Sequence, residues 1–221
     1  MADDVATVVA LDIAELREPH LVLVGYSGRD QAAVQAHVDE LLRHGVPAPT
    51  KVPAIWEVPA SLLSQQPDLV VRTDGTSGEA EPVIVVHGGR HYLTVGSDHT
   101  DRDLERIDMD EAKAACSKVL APECWPLPGD DTWDAIGLRS EIEVDGLWQL
   151  YQEATLASLL PPSWYLSRFV GEAPTTDTVI FCGTVATVGD LVTDATAFRA
   201  TLTDAAGGRS LVCEYRIKRG D

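Results

Sequence analysis

The chain has 221 residues, 45% of them apolar, enough for one sizeable domain with a buried core. Its 35 acidic side chains outnumber 17 basic ones, for a formal net charge of −18. That balance argues against nucleic acid and anionic membrane surfaces as partners, because both repel it, and no apolar run reaches the length of a membrane span.

In chain order, "MADDVATVV" is acidic and lacks the basic and apolar regions of a signal peptide. "ATVVALDI" (6–13) and "HLVLVGYS" (20–27) are rich in Val and Leu and predict strands. "GRDQAAVQAHVDELLRHG" (28–45) predicts a helix with Val34, Val38 and Leu41 as its apolar stripe and Gly45 as its stop. The proline-rich "VPAPTKVPAIWEVPA" predicts extended chain or loop. "PDLVVRT" (67–73) predicts a strand, and "EPVIVVHGGRHYLTVGSD" (81–98) a pair of strands turning at Gly88-Gly89. "TDRDLERIDMDEAKAACS" (100–117) is charged and partly helical. "GLRSEIEV" turns at Asp145-Gly146 into "LWQLYQE", and "ATLASLLPPSWYLSRFV" is helical around its Pro-Pro break. "TDTVIFCGT", "AFRATLTD" and "RSLVCEYRIK" close the chain as strands. With neither a linker nor a repeat, the pattern predicts one α+β domain over 1–221, mainly β with a few peripheral helices. Cys116, Cys124, Cys182 and Cys213 form no C-x-x-C pair, which fits free thiols in a cytoplasmic protein.

Four constellations carry chemistry. Glu79 and Glu81 are two apart at the mouth of a strand, so they share a face with Val83 and Val85, while Ala80, Ile84 and Val86 take the other. Apolar residues on both faces predict a strand covered on both sides, where paired acids need a cation. A solvated strand edge is the competing explanation, and it suits Glu141 and Glu143, which have the same spacing but alternate with Ile142 and Val144. In "GSDHTDRD", Asp98, Asp101 and Asp103 offer the oxygen ligands that hard divalent ions prefer. Asp101 and Asp103 fit a helix start capped by Thr100, whereas Asp98 lies before it, and a hairpin would return it to Glu79 and Glu81. In "HVDEL", His37 and Glu40 lie on one side of the helix, either as a base oriented by a carboxylate or as a contact without chemistry. Arg102, Lys113 and Lys118 form a cationic set, in which Arg102 anchors a substrate carboxylate or braces Asp98. Neither a hydrolase elbow, a P-loop, a dinucleotide fingerprint nor a zinc-type histidine pair is present.

Taken in order, "VGYSGRDQAAVQAHVDEL", "GEAEPVIVVHG", "LTVGSDHTDRDLE", "DEAKAACSKVLAP" and "TDTVIFCGTVATVGD" resemble the motifs of the fumarylacetoacetate hydrolase superfamily, and more narrowly of a bacterial branch of it. The resemblance implies a mixed β-roll and a dimer acting on a small keto acid by C–C hydrolysis, decarboxylation or hydration. It implies that Glu79, Glu81 and Asp98 bind Mg²⁺ or Mn²⁺, that His37 and Glu40 activate water, and that Lys113 and Thr184 face the substrate, with Lys113 stabilising an oxyanion. The sequence departs from the pattern at Glu105, where the family has Gln, at Glu57, near a family Lys, and at Gly183-Thr184-Val185, which lacks the usual Pro.

Overall fold

In a computed structural model, residues 7–43, 45–171 and 176–220 are described. Residues 1–6, and with them most of the segment read against a signal peptide, lie outside the described residues. Two mixed β-sheets pack face to face. The larger runs in the order Val9–Ala10, Glu123–Pro126, Arg90–Asp98, Ala80–His87, Thr178–Phe181, His20–Gly25 and Ala54–Val58. The short strands Leu63–Ser64 and Lys118–Leu120 join it beside Asp98. The second sheet runs Leu147–Thr155, Gly137–Val144, Ala197–Asp204, Arg209–Arg219 and Asp68–Val71. Among the described residues no helix is long and apolar enough to cross a membrane.

The two-faced strand behaves as its sequence dictates. Ala80, Ile84 and Val86 enter the core between the sheets, while Val83 and Val85 enter a second cluster with Leu21, Leu23 and Phe181 on the outer face. The Gly88-Gly89 turn is real: both glycines have positive φ, 57° and 76°, a conformation that closes a two-residue hairpin without splaying its strands. That hairpin sets the functional register. Ala80 lies opposite Ser97, and Asp98 N–H donates to Glu79 O at 3.1 Å, so the end of one strand meets the start of the other.

Several expectations shift at their edges. Among the described residues of the first predicted strand, only Val9–Ala10 form a strand, followed by a 3-10 turn at Ile13–Glu15. The helix is Gln31–Arg43; Asp30 accepts from Ala32 N and Ala33 N, which starts it there. The proline-rich stretch contains a strand, Ala54–Val58, paired antiparallel with His20–Gly25. Asp101, not Thr100, caps the short helix Arg102–Glu105, accepting from Asp103 N and Leu104 N, while the Thr100 hydroxyl donates to Asp98 O. Asp108 caps the next helix, Met109–Ala114, in the same way.

Candidate metal centre

Glu79, Glu81 and Asp98 converge: each offers a carboxylate oxygen, and those oxygens all lie within 4.8 Å of one another. Backbone pairing explains the meeting, since the hairpin returns Asp98 beside Glu79 and the sheet pairs Asp98 with Lys118. The two short helices then lay Arg102 and Lys113 over the cluster.

Each acid has its own partners. Lys113 Nζ lies 2.8 Å from Glu79 Oε2 and 2.7 Å from Asp98 Oδ2, and also donates to Thr100 Oγ1 at 3.2 Å. Lys118, fully buried, puts its ammonium 2.5 Å from Asp98 Oδ1 and donates to His99 O. That Asp98 oxygen is buried and accepts no aligned hydrogen bond, so the Lys118 contact is an ion pair without hydrogen-bond geometry. Arg102 pairs with Glu79 at 2.9 Å rather than with Asp98; Asp98 is braced by the two lysines instead. Glu81 is held differently, by the Gly183 N–H at 2.8 Å. Gly183 has φ 96°, and a Cβ there would stand 2.0 Å from Ser27 Oγ, so a side chain would break the turn that presents this N–H.

These environments push the two glutamates apart. Burial raises the Glu79 carboxyl, but Lys113 and then Arg102 overcome it and bring it down to about 2. Burial also raises Glu81, and Asp98 and Glu79 add to the rise, taking it well above the usual carboxylate range. Burial works against the charge of Lys113, yet Asp98 and Glu79 hold its ammonium firmly protonated.

The set fits a hard divalent ion. It supplies three carboxylates, one of them with a buried oxygen that meets the Lys118 ammonium but accepts no hydrogen bond, and another crowded by like charge with no ion pair among the described residues to relieve it.

The other expected site residues are placed as follows. The Thr184 hydroxyl donates to Ala80 O at 2.8 Å and accepts from Gln152 Nε2 at 2.7 Å, so it braces the strand that carries the glutamates. His37 Nδ1 lies 3.6 Å from Glu40 Oε2, on a helix face where both side chains are more than half exposed. The His37 ring sits 6.2 Å from that of Tyr26, whose hydroxyl is raised by burial and by Glu105, with Lys113 opposing and Glu79 reinforcing. The backbone φ of Tyr26, 56°, is strained for a tyrosine.

Sequence reasoning missed the support around the cluster. Buried Gln152 accepts from Ala80 N and Ser140 Oγ and donates to Thr184 and to Val185 O. A second chain runs from Thr76 to His99, Tyr215 and Ser97, whose hydroxyl accepts from Glu79 N at 3.2 Å. Burial, with Arg102 and Lys118 nearby, pushes His99 down to about 3, so it links Thr76 and Tyr215 as a neutral ring.

Residues 24–215 match the family described as "Protein of unknown function (DUF2848)". The chain belongs to the DUF2848 family. No curated protein matches this DUF2848 chain. Solved structures do. A protein named Cg1458, solved with an inhibitor, is 16% identical with a TM-score of 0.65, covering 92% of this chain and 78% of that one. A 2-keto-3-deoxy-D-arabinonate dehydratase, complexed with magnesium and 2,5-dioxopentanoate, is 15% identical with a TM-score of 0.63, covering 92% and 74%. The 5-carboxymethyl-2-hydroxymuconate delta-isomerase of Mycobacterium smegmatis is 20% identical with a TM-score of 0.62, covering 93% and 78%. The DUF2848 chain therefore has the fumarylacetoacetate-hydrolase-type fold, mainly β with few helices, as its motifs led one to expect.

Proposed function

We propose that this chain is a divalent-metal-dependent enzyme acting on a small keto acid or 1,3-dicarbonyl compound, with Glu79, Glu81 and Asp98 holding Mg²⁺ or Mn²⁺. The observation that supports this most is the meeting of three carboxylates within 4.8 Å in a largely buried cluster. A neighbour of the same fold, complexed with magnesium and a dioxo compound, adds to it. The reading takes the chain as a cytoplasmic homodimer within a bacterial branch of the fumarylacetoacetate hydrolase superfamily.

When bound, the ion supplies a Lewis acid that stabilises negative charge on the oxygens of the substrate. The protein's own groups prepare the site. Lys113 and Arg102 keep Glu79 ionised, Lys113 and Lys118 fix Asp98, and Gly183 orients Glu81. The three N–H groups of Lys113 are met by Glu79, Asp98 and Thr100, so donation to a substrate oxygen exchanges one of those bonds. Thr184 contributes to substrate binding in the same fashion, releasing Gln152 or Ala80.

For C–C bond hydrolysis, His37 oriented by Glu40 takes a proton from the attacking water. A second reading, decarboxylation, which needs no activated water, is favoured by the exposure of His37 and by its contact with Tyr26 rather than with the acids. A panel of keto acids and 1,3-diketones, assayed after chelation and again with Mn²⁺ restored, tests the proposal. The expected result is turnover only with metal. His37→Ala abolishes it if water activation is required and spares it if the second reading holds. Tight Mn²⁺ binding without turnover of any of them leaves a binding protein of this fold and overturns the enzymatic proposal.

A further inference from the structure

Arg102 is the cation best shaped to grip a second substrate carboxylate, yet its Nε and Nη1 already have acceptors within the protein. Its Nε donates to Ser77 Oγ at 2.7 Å. Its Nη1 donates to both oxygens of Glu105 at 3.2 Å, and lies 2.9 Å from Glu79 Oε1. The Arg102 and Glu105 side chains are only 9% and 13% exposed, so solvent screens this pair little. A carboxylate brought to Arg102 would meet the like charge of Glu105 on the same guanidinium. The other two buried cations are also committed, Lys113 to Glu79 and Asp98, and Lys118 to Asp98.

Glu105 and Glu79 meet the same Arg102 Nη1, at 3.2 and 2.9 Å, which places Glu105 beside the acid cluster. Trp56 walls that cluster, with Lys113 Nζ 5.9 Å from its ring centre. Next to it, Glu57 is 71% exposed and pairs with His20 at 3.2 Å. Around the centre, the four carboxylates of Glu79, Glu81, Asp98 and Glu105 face the three cations Arg102, Lys113 and Lys118. With Glu81 giving up its proton to a bound ion and the other six groups charged, these seven groups sum to one negative charge, which a divalent ion would turn into one positive charge. Such a site matches a ligand with a single carboxylate.

We propose that Glu105 is a specificity-determining residue: by occupying Arg102 it restricts the site to keto acids with one carboxylate and an uncharged remainder, and it excludes dicarboxylates. The inference rests on the metal and keto-acid reading above, and the experiment separates the two. Calorimetric titration of the full chain compares 2-oxopentanoate with 2-oxoglutarate, which differ by the distal carboxylate, in the presence of Mn²⁺. The wild-type protein should bind 2-oxopentanoate tighter by at least about tenfold. Glu105→Gln should shift that ratio by at least about tenfold, through tighter 2-oxoglutarate binding, while Glu105→Asp, which keeps the charge, should retain the wild-type preference. Equal or tighter 2-oxoglutarate binding by the wild-type protein overturns the inference without any variant. An unchanged ratio in a folded Glu105→Gln protein overturns it too. Metal-free protein titrated with malonate isolates the charge effect: Glu105→Gln should bind at least about tenfold tighter, and no change refutes the role of Glu105 whatever the ion does. If Mn²⁺ fails to tighten 2-oxopentanoate, the metal reading falls, and the malonate result still decides whether Glu105 guards Arg102.

Discussion

Two glutamate pairs with identical spacing meet opposite fates in this molecule. Glu79 and Glu81 open a strand whose residues from Ala80 to Val86 are all buried, and the cationic partners of Glu79 are almost fully enclosed. Glu141 and Glu143 lie on a strand with one buried face, Leu138, Ser140 and Ile142, and one wet face. There Glu141 pairs with Arg139 and Arg199, which are 48% and 31% exposed, and Glu143 accepts from Thr196. The spacing is silent about function. What distinguishes the pairs is whether a second layer covers the strand, because only burial makes like charges costly enough to demand an ion.

That contrast can be broken by mutation. The largest effect on stability is expected at Lys118. Lys118→Met leaves buried Asp98 with one cation fewer, and chemical denaturation should show a loss of about 3–5 kcal/mol. The surface counterpart, Arg199→Met, should cost less than about 1 kcal/mol.

Acid titration should separate the two buried glutamates from each other. The folded carboxyl of Glu79 lies at about 2 against 4.5 for a free one. Its contribution, about 3 kcal/mol, is therefore full above pH 4.5 and lost as pH falls through 2. Glu81 has the opposite sign. Raised by burial, then by Asp98 and Glu79, it costs the metal-free protein stability as pH climbs above 4.5. In metal-free protein at neutral pH, Glu79→Gln should thus lower the denaturation midpoint and Glu81→Gln should raise it.

Two glycines sharpen the comparison at smaller scale. Gly183, which holds Glu81, combines φ 96° with a blocked Cβ position, and Gly183→Ala should cost about 1–3 kcal/mol in backbone strain before any clash with Ser27. Gly146, in the turn after Glu143, has φ 76° but open space around it, so Gly146→Ala should cost about 1 kcal/mol, measured by the same melts.

The part of the site legible in the sequence is the part set by alternation and hairpin length. Period-two patterning put Glu79 and Glu81 on one face, and Gly88-Gly89 returned Asp98 to them. The contacts that fix the site come from side chains far apart in sequence. Gln152 sits in a strand that reads as half exposed, and nothing local marks it as buried against Ala80. Lys118 and His99 are polar residues that a pattern assigns to the surface, and only sheet pairing encloses them; Tyr215 alternates onto the buried face with Leu211 and Cys213, but nothing local gives its hydroxyl a partner. The strand at Ala54–Val58 was hidden by its prolines, and its pairing with His20–Gly25 overrides that local signal.

The most direct test of the central claim is Mn²⁺ titration of chelator-treated protein by calorimetry, for the wild-type chain, Glu81→Gln and Glu141→Gln. One ion per chain should bind the wild type and Glu141→Gln alike, and Glu81→Gln should lose it. Equal Mn²⁺ binding by all three proteins, or none by the wild type, would contradict the account.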